Sequence, residues 1–194
     1  MKIKRIIAFI FDILIVSVIS SCIFMLPVFK DKMTSYNNLS TEYMEEMLKS
    51  GSSDPNEEEL VNKQYDLAKA NTTLSIINFG VTFAYFCILA FILNGKTLGK
   101  KIFGLQIVPV KEKSLNPGLF VLRQILTTGV LFEIISLIIL MNCSKDVWFN
   151  AGTYLSYGKM LVYFILLGFM IFRDDERGLH DIICDTKVVS TREK

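Results

Sequence analysis

Four apolar stretches, separated by charged connections, limit what this chain can fold into. They are Ile6 to Leu26, Leu74 to Leu93, Leu119 to Met141, and a fourth that ends at Phe172. A membrane span needs about 20 predominantly apolar residues, and the first three stretches reach that length. The cleanest apolar part of the fourth, Met160 to Phe172, is too short alone. It becomes a span if it begins near Ala151 and Lys159 extends its ammonium toward the surface. The composition agrees with this reading. Of the 194 residues 52% are hydrophobic and mean hydropathy is +0.43, yet 21% are charged. Both values hold only where charge and apolar residues occupy separate stretches. They exclude a disordered chain and argue for a membrane protein over a soluble enzyme core. A net charge of +2 carries no nucleic-acid footprint. The four cysteines, at 22, 87, 143 and 184, have neither zinc-type nor redox-motif spacing.

The basic residues predict the orientation. Lys2, Lys4 and Arg5 precede the first span, the 94–118 connection has five lysines against Glu112 alone, and five basic residues follow Phe172. The 30–73 and 142–159 connections have five and two. This bias places both termini in the cytoplasm, which requires an even number of spans. The expected fold is an all-α transmembrane four-helix bundle formed by a single domain over 1–194. Its spans fall at about 6–26, 74–93, 119–141 and 151–172.

The 30–73 connection is then external, with nine acidic residues against five basic. Asp54-Pro55-Asn56-Glu57 has the form of a helix start, with a capping Asp, Pro at the first helical position and Glu at the third. No Pro or Gly follows until Gly80, so one helix is expected from about Pro55 through the second span. A shorter helix over Thr41 to Lys49 should stop at Gly51. The result is an external helical hairpin, either simply solvated or an acidic surface that gathers cations or a partner. On the other side, Gln106 to Val110 and Thr186 to Ser190 are β-type runs too short to stand alone. Paired, they tie the tail to the 94–118 connection. Asn116-Pro117 reads as the cap and first residue of the third span.

Other local signals lead nowhere. Gly95-Lys96-Thr97 resembles the end of a phosphate-binding loop, but position 90 is Ala and a span precedes it where a strand is required. Ile19-Ser20-Ser21-Cys22 resembles a lipoprotein cleavage box, yet Asp12 interrupts the apolar region and Ile23 to Leu26 continue it past the cysteine. Asn38-Leu39-Ser40 and Asn71-Thr72-Thr73 match glycan acceptors, which matter only in a eukaryotic secretory pathway. No nucleophile–base constellation, metal site or cofactor fingerprint is visible.

The charges inside the spans are more informative. A carboxylate deep in a span costs about 2.5–3.5 kcal/mol on insertion scales, so Asp12 needs a partner or a cavity. Arg5 lies two turns earlier, ~10.5 Å along the axis, beyond direct reach by helix rise. Arg123 enters the third span at a matching depth and is the expected partner. Glu133 lies ~15 Å beyond Arg123, at the depth of Ser17, Ser20 and Ser21. Asn78, Thr82 and Tyr85 form a polar stripe on the second span. Two readings follow: static interhelical bonding, or a path for a small cation or proton with Asp12 and Glu133 as stations and Arg123 as counter-charge. Leu98, Ile102 and Leu105, flanked by Lys96, Lys100 and Lys101, predict a short amphipathic helix on the lipid surface. It is either an anchor or an anionic-lipid or partner site. His180, the only histidine, is either a pH sensor or an ordinary hydrogen-bonding group.

Taken together, these segments resemble the RDD family of bacterial membrane proteins. The match rests on Arg5 with Asp12, on the Gly95 to Val108 segment (GKTLGKKIFGLQIV), on Arg123, and on Gly178-Leu179-His180-Asp181 followed by Thr186 to Val189. It covers nearly the whole chain in order. The family is named for one arginine and two aspartates, which the resemblance places at Arg5, Asp12 and Asp181, whereas Arg173-Asp174-Asp175 matches only in spelling. The resemblance implies a multi-pass plasma-membrane protein of largely unassigned function, with transport suggested and cation/proton exchange linked to some members. No enzyme and no cofactor are expected, since a membrane enzyme would need a nucleophile–base constellation that the sequence does not show. The alternative function is a non-transporting scaffold or regulatory subunit, or a homo-oligomer, that docks through the external hairpin or the basic surface helix.

Overall fold

The computed structural model describes residues 2–50, 57–111 and 114–191. Helix α1 (Lys2–Phe24) leads through a 3₁₀ turn into α2 (Lys30–Ser50). Helix α3 (Glu57–Phe83) continues through a π-helical segment, Ala84–Leu89, into α4 (Ala90–Ile92). A short helix α5 (Leu98–Ile102) precedes strand β1 (Leu105–Pro109). Helices α6 (Pro117–Thr128), α7 (Val130–Asn142) and α8 (Lys145–Phe172) follow, then α9 (Leu179–Ile183) and strand β2 (Thr186–Ser190).

Among the described residues, three helical stretches are long and apolar enough to cross a membrane: Lys2–Phe24, Glu58–Ile92 and Lys145–Phe172. The fourth apolar stretch is thus part of a 28-residue helix that begins six residues before the expected Ala151. The third departs from expectation. The 119–141 stretch is not one straight helix but α6 and α7, bent by 72°. The bend sits at Gly129, whose φ of +70° lies in the left-handed region, which a residue without Cβ enters at no steric cost. With the bent pair counted as one span, the described residues hold four by length and composition.

The hairpin is longer than expected. Its first helix begins at Lys30 rather than Thr41, and the Asp54–Asn56 cap and Gly51 lie outside the described residues. Glu46 on α2 takes Lys63 of α3 at 3.1 Å. The ring of Tyr65 meets Trp148 of α8 edge-on at 5.3 Å between centroids.

The opposite end carries the small sheet. Strands β1 and β2 pair antiparallel, with Leu105 opposite Ser190, Ile107 opposite Val188 and Pro109 opposite Thr186. Alternation turns Leu105, Ile107 and Val188 inward, where they pack with Ala8, Ala90 and Phe120. Five-residue strands become stable here because one face joins that core. The helix α5 is shorter than the amphipathic pattern predicts, since Leu105 belongs to the strand and is fully buried.

Close approach of α5 to α1 depends on Gly99. A Cβ there would lie 2.4 Å from the carbonyl oxygen of Ala8 and 2.7 Å from Asp12 Oδ1. Gly99→Ala should therefore push α5 off α1 and destabilise the protein by about 1–3 kcal/mol, the usual range for overpacking. Gly152→Ala, which meets nothing within 4 Å, should leave it unchanged or slightly stabilised. Thermal unfolding in detergent checks both, and equal midpoints for the two variants would contradict the packing described here.

Candidate functional site

Two buried polar networks lie side by side at the end carrying the sheet. Asp181 is central to the first. Its Oδ2 accepts from Arg5 Nη2 at 2.5 Å, and its Oδ1 accepts from Arg123 Nε at 2.9 Å and Nη2 at 2.7 Å. The backbone N–H of Gly178 donates to Oδ2 at 3.2 Å, which caps α9, and the Thr186 hydroxyl approaches Oδ1 at 3.4 Å. Arg5 also donates to the Glu176 carbonyl. One carboxylate thus joins α1, α6, α9 and the start of β2. Asp181 is fully buried and Arg123 nearly so. Burial alone would raise the Asp181 pKa, but Arg123 and Arg5 outweigh it and hold the carboxyl well below the usual range.

The second network surrounds Asp12, also fully buried. Its Oδ2 accepts from Thr97 Oγ1 at 2.5 Å. Its Oδ1 accepts from Tyr85 Oη at 2.6 Å and from the Gly99 N–H at 2.7 Å. Tyr85 comes from the π-helical segment and in turn accepts from the Leu98 N–H at 3.2 Å. Thr97 caps α5, its hydroxyl accepting from the Lys100 N–H at 3.3 Å. The carboxylate therefore sits on the N–H groups that open α5, where a negative charge is favoured. The Gly/Lys segment acquires a physical reading: Thr97 and Gly99 exist to receive Asp12.

The structure redistributes the residues singled out by sequence. Arg123 does not bond to Asp12; it bonds to Asp181, because α9 places that carboxylate between Arg5 and Arg123. Arg5, too distant from Asp12 along its own helix, is satisfied by the tail instead. Glu133 joins neither network and pairs with Lys159 of α8 at 2.5 Å. Ser20 donates to Asn78 Oδ1 at 2.9 Å, so the polar stripe on the second span does face α1. Lys96 is half-buried and Lys101 exposed, as a lipid-surface helix requires, but Lys100 is buried and leaves that surface. The Arg173–Asp175 pair is exposed and separate from the cluster. No group of three or more metal-binding side chains comes together among the described residues.

Lys100 and His180 complete the cluster, and sequence reasoning gave neither this place. Burial, reinforced by the neighbouring Arg123 charge, lowers the Lys100 ammonium to about 7. The same two causes lower His180 to about 3, so its imidazole is neutral near neutral pH and is no sensor there. Both side chains, with Arg5 and Arg123, line the inner end of a chamber of about 1070 Å³. The chamber runs between α1 and α8 past Val16, Ser20 and Phe86 toward Lys159. It lies just above the roughly 300–1,000 Å³ typical of small-molecule sites.

Membrane-length helices and a terminal sheet held by buried arginine–aspartate bonds define an integral membrane protein with a charge-locked end. The RDD family model matches residues 3–185, and the chain belongs to the RDD family. Neither a curated protein nor a solved structure matches the chain.

Two predictions follow from the networks. A double-mutant cycle between Arg123→Ala and Asp181→Ala should give a coupling of about 0.5–3 kcal/mol, as for residues in one buried network. The Arg123→Ala and Asp12→Ala cycle should give less. The reverse order would restore the pairing expected from sequence. Stability should also fall as pH drops from about 6.5 toward 3. The unfolded chain protonates His180 in that window while the folded one does not, and Asp181 protonation adds to the loss below about 4. In detergent unfolding scans, His180→Gln should flatten the upper part of that slope; an unchanged slope would refute the buried neutral imidazole.

Proposed function

We propose that this is a four-crossing plasma-membrane protein with both termini in the cytoplasm, whose activity lies in the chamber, and that the chamber binds a negatively charged solute. Arg5, Asp12 and Asp181 are then the arginine and two aspartates of the family, and they close the cytoplasmic end rather than conduct through it. The distribution of basic residues supports the orientation.

The observation that carries the anion reading is the lining. Arg5, Lys100, Arg123, His180 and Lys159 contribute to the wall, and no Asp or Glu does among the described residues. A cation path needs carboxylates or carbonyls facing the ion. Asp12 instead accepts three hydrogen bonds within its own network, and Glu133 is paired with Lys159. The small cation or proton route through Asp12, Arg123 and Glu133 therefore has less support than an anionic ligand. The scaffold reading has one observation in its favour: Met44 and Leu48 on α2 are 60% and 78% exposed, and apolar side chains in a hairpin outside the membrane suit a protein partner.

Thermal unfolding of the purified full-length protein tests the anion reading. An organic acid such as octanoate at 100 times its Kd should stabilise by about 2.7 kcal/mol, while sodium and potassium chloride should not. Stabilisation by a monovalent cation, together with pH-dependent cation flux that Asp12→Asn abolishes in sealed vesicles, would overturn it. For the orientation, Lys187→Cys in an otherwise cysteine-free chain should react with an impermeant maleimide only from the cytoplasmic side.

A further inference from the structure

The chamber has a side entrance. Its lining comes mainly from α1 and α8, yet α8 packs on α7, α9 and α3 and scarcely touches α1. The two helices face each other across an opening. Ile13 on one side and Met160 and Phe164 on the other are 47%, 56% and 62% exposed while still lining the chamber. Apolar side chains exposed along membrane-length helices face hydrocarbon, so this entrance opens to the acyl region rather than to water.

The wall behind the entrance is more apolar than its residue types suggest. Thr82 donates its hydroxyl to the Asn78 carbonyl at 2.8 Å, Thr127 to that of Arg123 at 2.7 Å, and Ser156 to that of Gly152 at 2.8 Å. Each hydroxyl proton is used within its own helix. Ser20 donates to Asn78 Oδ1, and Ser17, Ser21, Thr128 and Tyr163 are further hydroxyls on the wall.

The inner end is the opposite. Its wall carries Arg5, Arg123, Lys100 and His180 and no carboxylate among the described residues; Asp12 and Asp181 beside it are turned into their own networks. Both arginines share Asp181, while Lys100 Nζ has no hydrogen bond or ion pair among the described residues. His180 Nδ1 is likewise buried without a partner. Both side chains belong to the chamber wall. A buried ammonium without a hydrogen-bonded partner is costly, and an acid bound there reduces the cost.

We infer that the chamber is a lipid site: an anionic lipid enters sideways between α1 and α8, sets its acidic headgroup against Lys100, Arg5, Arg123 and His180, and lays an acyl chain along the apolar wall. This rests on the anion reading above and names the ligand. A small free anion supplies the missing charge but leaves the apolar wall and the side entrance unused. An acidic headgroup also favours the charged form of Lys100, whose proton is already held weakly between Arg123 on α6, Arg5 and Asp12 on α1, and Asp181 and His180 on α9. Binding therefore weakens above about pH 7 as Lys100 discharges.

The test uses full-length protein purified in a neutral maltoside detergent, read by native mass spectrometry and thermal unfolding. Phosphatidylglycerol and phosphatidylcholine with identical chains are compared with inorganic phosphate and glycerol phosphate. Wild type should retain phosphatidylglycerol at least about tenfold more tightly than phosphatidylcholine. Lys100→Gln, which removes a penalised buried charge and so should fold, should reduce that preference at least about fivefold, and Lys101→Gln on the exposed face should not. As a second variant, Ser17→Trp, placed in the chamber, should lower retention of both lipids. Equal retention of the two lipids, or equal losses in Lys100→Gln and Lys101→Gln, would overturn the inference. Stabilisation by phosphate as strong as by phosphatidylglycerol would leave the anion reading standing and remove the lipid. Stabilisation by neither would remove both. A Met160→Cys disulfide that links two copies across the chamber would assign the space to a second chain and likewise overturn it.

Discussion

The fold at the sheet end depends on one carboxylate shared by two arginines. Asp181 bonds Arg5 of the first helix and Arg123 of the third apolar stretch, 176 and 58 residues away in sequence. Removing Asp181 leaves two buried guanidinium groups without a counter-charge, and breaking a buried pair in this way typically costs about 3–5 kcal/mol. The same side chain caps its own short helix through Gly178. The tail is thereby fixed, β2 reaches β1, and the sheet in turn covers the core around Ala8 and Phe120. The Asp12 network performs the matching task for the Gly/Lys segment, which it holds against α1 through Thr97, Gly99 and Tyr85. The π-helical segment brings Tyr85 into that contact.

Much of this was legible from sequence, for reasons that differ by element. The first two spans follow from apolar length alone. The β pair follows from two β-branched runs too short to stand apart. The long α3 follows from an absence of Pro and Gly between Pro55 and Gly80. The break of the third stretch at Gly129 was not legible, because an isolated Gly in an apolar run is as compatible with a continuous span as with a bend. Here Tyr163 occupies the space beside it; a Cβ on Gly129 would lie 2.0 Å from the Tyr163 hydroxyl oxygen. The site was half legible. Membrane depth identified Asp12 and Arg123 as charges that need partners, but depth compares residues within spans only. It overlooked Asp181, which arrives from a connection after the last span. Spacing likewise set Lys100 on a surface, because it assigned Leu98 and Ile102 to the inner face, whereas these two are exposed and Gly99 and Lys100 are the buried positions of α5.

The two networks also define what is left for function. They consume the carboxylates at the sheet end, so the chamber beside them is bordered by cations. The polarity of the wall then changes along its length, from a basic inner end through apolar helix surface to Lys159, which Glu133 already neutralises. On the reading proposed above, a lock that spends its acids on structure and leaves a basic, apolar-walled space would select an acid with a hydrocarbon part. The Arg5, Asp12 and Asp181 networks and the proposed site would then be two consequences of one charge distribution.

The decisive measurement is an experimental map of the protein in nanodiscs containing phosphatidylglycerol. It should show an elongated density between α1 and α8, its head within hydrogen-bonding distance of Lys100 and Arg123, with Asp181 still bridging Arg5 and Arg123. A chamber filled only by water, or Arg123 turned onto Asp12, would contradict this prediction.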